Sequence, residues 1–151
     1  MKRFRFPLRP VAVLRAHREM RAREAFAASV NAYVRSEEEL GATRRRVAQF
    51  EAALFAGRRE RFSAAEEAHN LAGYRRECAA EAEQERAMIA AREAMQQRRI
   101  EYLDAHRKRE VVRRLETKAK ENHRLAANRE EQAEFDDFAG RQAARRALSP
   151  L

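Results

Sequence analysis

The residues that could do chemistry in this 151-residue chain are few and scattered. His17, His69, His106 and His123 are the four imidazoles, and Cys78 is the single thiol. On a helix, metal ligands or an acid–base pair must sit three or four residues apart to share a face. No histidine has another histidine, a cysteine or a convincing pair of carboxylates at that spacing. His69 and Cys78 are nine residues apart, which does not bring them side by side. Glu37, Glu38 and Glu39 form a charge run for an exposed face, not a general-acid pair in a desolvated pocket. Gly41, Gly57, Gly73 and Gly140 are isolated, and none precedes a Lys-Ser/Thr pair, so no phosphate-binding loop is present. The pattern predicts no enzyme, no metal, no cofactor and no small-molecule substrate.

Two other clusters stand out. Near the C-terminus, "EFDDFAGRQAARR" places Phe135 and Phe138 one helical turn apart, ahead of Arg141, Arg145 and Arg146. At the other end, residues 1–23 hold eight basic side chains against one acid, within a net charge of +9. Arg15, Arg18, Arg21 and Arg23 belong to that excess. Such a patch attracts an acidic partner: nucleic acid, anionic lipid or an acidic protein surface. Nucleic-acid binding would want stacking aromatics among the basic residues, and only Phe4 and Phe6 answer that description.

The elements that must position these residues are helices. Charged residues make up 38% of the chain, aromatics 7%, and tryptophan is absent. Much of the apolar fraction is alanine, so bulky material for a globular core is short. The three prolines, Pro7, Pro10 and Pro150, lie at the ends, and a long proline-free chain rich in Ala, Glu, Arg and Gln reads as long helix. Phe26, Tyr33, Leu40, Val47 and Leu54 recur every seven residues, with Val30 and Phe50 three or four residues from members of that series. This is the seam of a left-handed coiled coil. Val13, Met20, Ala27 and Val34 run one position off, read here as drift of a 3.6-residue helix against the repeat. Later, Met88, Met95 and Tyr102 repeat at seven. Ala91, Ala105, Val112, Ala119, Ala126 and Ala133 take the complementary position, interrupted by Arg98.

Between the two series lies a helix break at 57–63. Gly57 suits a left-handed helix end. Ser63 and Glu66 have capping-box spacing, and Phe62 could staple the entry. Gly73 is the competing break. The reading is all-α, a single antiparallel two-helix coiled-coil hairpin, helix one over about 8–56 and helix two over about 64–146. The second helix is longer, so its last ~30 residues should project beyond the paired region at 1.5 Å per residue. Phe135 and Phe138 there are either docking residues or pack back onto the start of helix one. A single cysteine fits a reducing compartment. "MKRFRFPLRP" has no apolar run behind it and does not read as a signal peptide, so the cytoplasm is the expected location.

The two ends of the chain resemble the flagellar export protein FliJ family. Phe4-x-Phe6-x-Leu8, an apolar pair and Leu14-Arg15 are similar to that family's start. Asn128-Arg129, Gln132 and Phe135-Asp136-Asp137-Phe138-Ala139 are similar to its closing helix. The resemblance implies a two-helix stalk of the flagellar type III export apparatus. Its partners would be the hexameric export ATPase ring, the cytoplasmic domain of the export-gate membrane protein, and export chaperones, at the inner face of the membrane. It implies that Phe135, Phe138, Arg141, Arg145 and Arg146, with Arg15, Arg18, Arg21 and Arg23 nearby, meet the ring. Val47, Phe50 and Leu54 at the opposite end are candidates for the gate, or simply members of the seam. The equivalent stalk of a virulence secretion system, a self-associating coiled-coil scaffold and a nucleic-acid-binding helix pair are the alternatives.

Overall fold

The computed structural model describes residues 3–60 and 63–148. It contains two helices, α1 (Arg9–Gly57) and α2 (Ala64–Ala147), and no strand among the described residues. The fold is an all-α two-helix hairpin with the second helix longer. The helix bounds lie within a residue of those expected.

Local chemistry explains each boundary. Pro10 sits in the first turn of α1, where its missing N–H is an orphan in any case. At the other end, the Ala56 carbonyl accepts from the N–H groups of Arg59 (3.0 Å) and Glu60 (3.2 Å). These bonds close α1 without a left-handed residue: no described glycine has positive φ, so Gly57 does not play the role expected of it. At the start of α2, Ser63 N–H donates to the Glu66 carboxylate and Glu66 N–H donates to Ser63 Oγ, each at 3.3 Å. That reciprocal pair is the expected capping box. Glu66 and Glu67 also place negative charge in the first turn, where the helix dipole favours it. Phe62 lies outside the described residues.

The contacts form two compact units, one of Met20–Asp104 and one of Met1–Glu19 with Ala105–Leu151. In the first, Arg44 pairs with Glu81 at 3.1 Å and Arg46 with Glu77 at 3.1 Å. Tyr74 donates to Glu51 at 3.3 Å, and the rings of Phe26 and Tyr102 stack at 6.1 Å. In the second, Arg9 pairs with Glu116 at 3.5 Å, Glu19 meets His106 at 2.7 Å, and Phe4 meets His123 edge to face at 5.4 Å. In each unit α1 numbers rise as α2 numbers fall, so the segments run antiparallel.

Two seven-residue rows of α1 face α2. Ala12, Glu19, Phe26, Tyr33, Leu40, Val47 and Leu54 form one; Arg15, Ala22, Ser29, Ser36, Thr43, Phe50 and Gly57 form the other. Every member is buried or half-buried. The first row therefore holds its register through Glu19 and Ala12 with no drift. Val13, Met20 and Val34, read from sequence as a drifted continuation, are instead 60%, 49% and 42% exposed. The second row escapes notice in the sequence because it is mostly small and polar. Its hydroxyls are satisfied locally: Ser29 and Ser36 donate to the Phe26 and Tyr33 carbonyls at 2.7 Å, and Thr43, wholly buried, accepts from Arg46 at 2.8 Å. On α2, Met88, Met95, Tyr102, Ala91, Ala105, Val112 and Ala119 take the seam as expected, with Arg98 exposed; Ala126 and Ala133 are exposed and contribute nothing to it.

Gly73 is not a break but a contact. Helix α2 runs through it, and a Cβ there would come 2.5 Å from the Phe50 ring. Replacing Gly73 with Ala should cost about 1–3 kcal/mol of overpacking, against ~1 kcal/mol of gained helix propensity. Thermal unfolding should show a lower midpoint for G73A and recovery in G73A/F50L. A G73A protein at least as stable as its parent would mean the ring swings clear at no cost.

Glu19 is the buried exception in an otherwise unremarkable seam, at 2% exposure. Its carboxylate also accepts from Arg109, whose pKa it raises by hydrogen bonding and charge. Arg109 and His106 each keep nearly half their side-chain surface in solvent, so both can rehydrate if Glu19 is lost. Glu19→Ala should lower unfolding free energy by about 1–3 kcal/mol, as a lost charged hydrogen-bond partner does. Glu19→Leu, which completes the apolar row, should equal or exceed the parent in denaturant unfolding, as replaced buried ion pairs often do. A leucine variant as unstable as the alanine one would show that the charge cluster itself is net stabilising.

Candidate functional site

Among the described residues no group of three or more His, Cys, Asp or Glu side chains could hold a metal. The four histidines take separate places: His106 on Glu19, His123 against Phe4, and His17 and His69 exposed. Cys78 is half-buried beside Tyr74, whose pKa it raises as the main neighbour, with Glu51 adding to the effect. No helix among the described residues is long and apolar enough to cross a membrane.

The feature that stands apart is the end of α2. Every residue from 128 to 148 is exposed. The last cross-helix ring contact, Phe4 to His123, lies just before that stretch. Phe135 and Phe138 are 66% and 65% exposed, so neither packs back onto α1. With Glu131 and Glu134 they line one shallow groove on the helix surface. Those spacings put all four side chains on neighbouring turns of one side. Gln132 donates to Asp136 at 3.1 Å, an i,i+4 bond that supports the helix locally. Arg141 is exposed, and Arg145 and Arg146 fall in the last turn. Cations there complement the helix dipole, so these two arginines serve the helix whether or not a partner is bound.

The N-terminal arginines are not at this place. Arg9 pairs with Glu116, and Phe135 lies nineteen residues further along α2, about 29 Å at helical rise. Arg15 and Arg18 lie further back still. Arg15 is half-buried in the seam, and Arg18 and Arg21 are exposed. Arg23 lies over the Tyr102 ring at 5.8 Å, a cation–π contact that occupies its guanidinium. The expected neighbourhood of these arginines with Phe135 and Phe138 is therefore absent for Arg15 and Arg18, because helix two outruns helix one by more than the basic segment can span.

At the other end, Val47 is 8% exposed and belongs to the seam. Phe50 is half-buried over Gly73, and Leu54 is half-buried. These three spend their surface on α2. The apolar side chain left outside is Phe55, 63% exposed, with Arg59 over its ring at 5.3 Å. Sequence reasoning passed over Phe55, although it lies seven-residue steps from Val34 through Gly41 and Ala48.

Neither a curated protein nor a solved structure matches this chain. The family described as flagellar FliJ protein does, over residues 4–148, from the aromatic start of the chain through both helices to the end of the exposed segment. The chain belongs to the flagellar FliJ family.

Proposed function

We propose that this chain is a stalk of the flagellar type III export apparatus that binds the hexameric export ATPase ring through the C-terminal segment of α2 and promotes its activity. Membership of the flagellar FliJ family supports a role in flagellar export. The observation that carries the finer reading is the run of exposed residues 128–148, with two phenylalanines left two-thirds in solvent. Leaving a phenylalanine unburied forgoes roughly 1.5–3 kcal/mol of apolar transfer. A helix that keeps two of them outside, with no use for them in its own seam, is built to bury them elsewhere.

In this reading Phe135 and Phe138 are the anchors that enter apolar pockets of the ring, and Arg141, Arg145 and Arg146 meet acidic groups around them. The exposed Arg18 and Arg21 add a basic stretch further along, which raises the association rate without fixing the contact. The stalk would also meet the cytoplasmic domain of the export-gate membrane protein and export chaperones, in the cytoplasm at the inner face of the membrane. At the turn end, exposed Phe55 suits a gate contact better than Val47, Phe50 and Leu54 do, because the latter are committed to α2.

Changing Phe135 and Phe138 together to Ala should raise the concentration needed for half-maximal stimulation of the cognate ATPase by about tenfold to a hundredfold, the range expected for two docking anchors. Helical circular dichroism should stay unchanged, since both rings are exposed. Unaltered stimulation would remove the segment from the interface, and a large loss of helicity would make the rings structural.

A further inference from the structure

The hairpin does not account for the second apolar row on α1. Met20, Ala27, Val34, Gly41, Ala48 and Phe55 recur every seven residues, one position after the seam row, and all lie on helix segments of the unit Met20–Asp104. None is buried; Met20, Val34 and Phe55 are 49%, 42% and 63% exposed. Scattered apolar residues on a surface need no explanation. An unbroken heptad row does, because that period is what keeps a stripe facing one partner helix.

Gly41, at the centre, is a second anomaly. Glycine inside a helix costs ~1 kcal/mol relative to alanine. A Cβ at Gly41 would meet only the tip of Arg45, at 3.7 Å, an ordinary contact. Nothing within the chain excludes alanine there, in contrast to Gly73. A bare position in mid-helix with no internal reason leaves the backbone open to close approach from outside.

The row is self-complementary about Gly41. If a second copy lies antiparallel across it with Gly41 on the twofold axis, Val34 falls opposite the second copy's Ala48, and Ala27 opposite its Phe55. In both pairs a large side chain meets a small one. The charges beside the row match in the same arrangement. On one flank of the row, Glu38 comes within one residue of level with the second copy's Arg45, and Glu24 with its Arg59, which already lies over Phe55. Among the described residues neither Glu38 nor Arg45 has an ion pair within its own chain. An unrelated partner helix would have no reason to mirror both the size and the charge order of α1 about a single residue, whereas an isologous contact requires it.

We propose that two copies of this chain associate through the outer row of α1, antiparallel, with Gly41 at the axis. The surface is separate from the α2 segment assigned to the ATPase ring, so the inference stands or falls independently of that function.

Sedimentation equilibrium of the full chain over a concentration series is the test, with charge reversal as the discriminating step. The parent should fit a reversible monomer–dimer equilibrium. Glu38→Arg and Arg45→Glu should each weaken the dimer by about tenfold or more, since like charges then face each other. The double reversal should return it to within about threefold of the parent, as restored pairing demands. In a Cys78→Ala background, Gly41→Cys should give a disulfide-linked dimer on oxidation, because a twofold axis brings its Cα atoms within bridging distance, while Gln49→Cys should not. A parent that stays monomeric throughout overturns the proposal. So does a dimer indifferent to both reversals, equal cross-linking at positions 41 and 49, or a dimer abolished only by changing Phe135 and Phe138.

Discussion

A seven-residue repeat that holds one side of α1 against α2 is the constraint on which the rest of this molecule depends. A helix with 3.6 residues per turn keeps such a repeat facing a partner only by winding slightly around it. The chain holds that register across every heptad from Ala12 to Gly57, yet little of it is fully buried. The buried apolar side chains among the described residues are Leu40, Val47 and Val112. The remaining positions are filled by half-buried aromatics and aliphatics such as Phe26, Tyr33, Phe50 and Tyr102, by alanine, by hydroxyls bonded to their own helix, and by charged groups. Helical propensity and short-range pairing carry what a large core would otherwise carry, which is why alanine, glutamate and arginine dominate the composition.

Glu19 shows how the seam and the surface are linked. It is the sole acid in the first 23 residues, and it is turned inward onto His106 and Arg109. The outer surface of that stretch is therefore left without a carboxylate of its own, although Glu116 of α2 meets Arg9. A buried charge in a two-helix seam is also an argument for register: only the alignment that offers Arg109 and His106 avoids stranding it. One residue thus fixes local pairing and leaves the surrounding surface more basic, and its position in the unit containing Arg9, Glu116 and the end of α2 puts both effects in the half of the chain that carries the exposed segment.

How much of this could be read from sequence follows from which residues signal by size. The row Phe26, Tyr33, Leu40, Val47 and Leu54 announces itself because its members are large, and the Ser63–Glu66 box because its spacing is local. Glu19 and the Ser29–Ser36–Thr43 row are silent, because charge and hydroxyl groups look like surface until their partners are known; His106 is 87 residues away. Val13, Met20 and Val34 misled for the converse reason. They are apolar and correctly spaced, and only the register set by the silent residues shows that they face outward. Gly57 ends α1 without the left-handed backbone expected of it, and Gly73, the competing break, is a packing contact, because a glycine's sequence position does not tell backbone freedom from close approach. The exposed Phe135 and Phe138 were legible as a segment without a helix partner, but the distance that separates them from Arg15 and Arg18 needed the pairing of Arg9 with Glu116.

A seam with one row built mostly from small and polar residues has a further consequence. It frees the bulky ones. Phe55, Phe135 and Phe138 are each more than 60% exposed in a chain that has only eight phenylalanines and no tryptophan. A globular protein of this length that left such rings in solvent would sacrifice core it could not replace. Here the seam takes other residues: α1 and α2 come close at Gly73, where a Cβ would meet the Phe50 ring, and Ala91, Ala105 and Ala119 fill half-buried positions. Bulk is therefore diverted to the outer row of α1 and the end of α2, the places where this hairpin has no second layer of its own. The same economy that keeps the seam thin leaves apolar rings in solvent at defined points, Phe55 on α1 and Phe135 and Phe138 on α2.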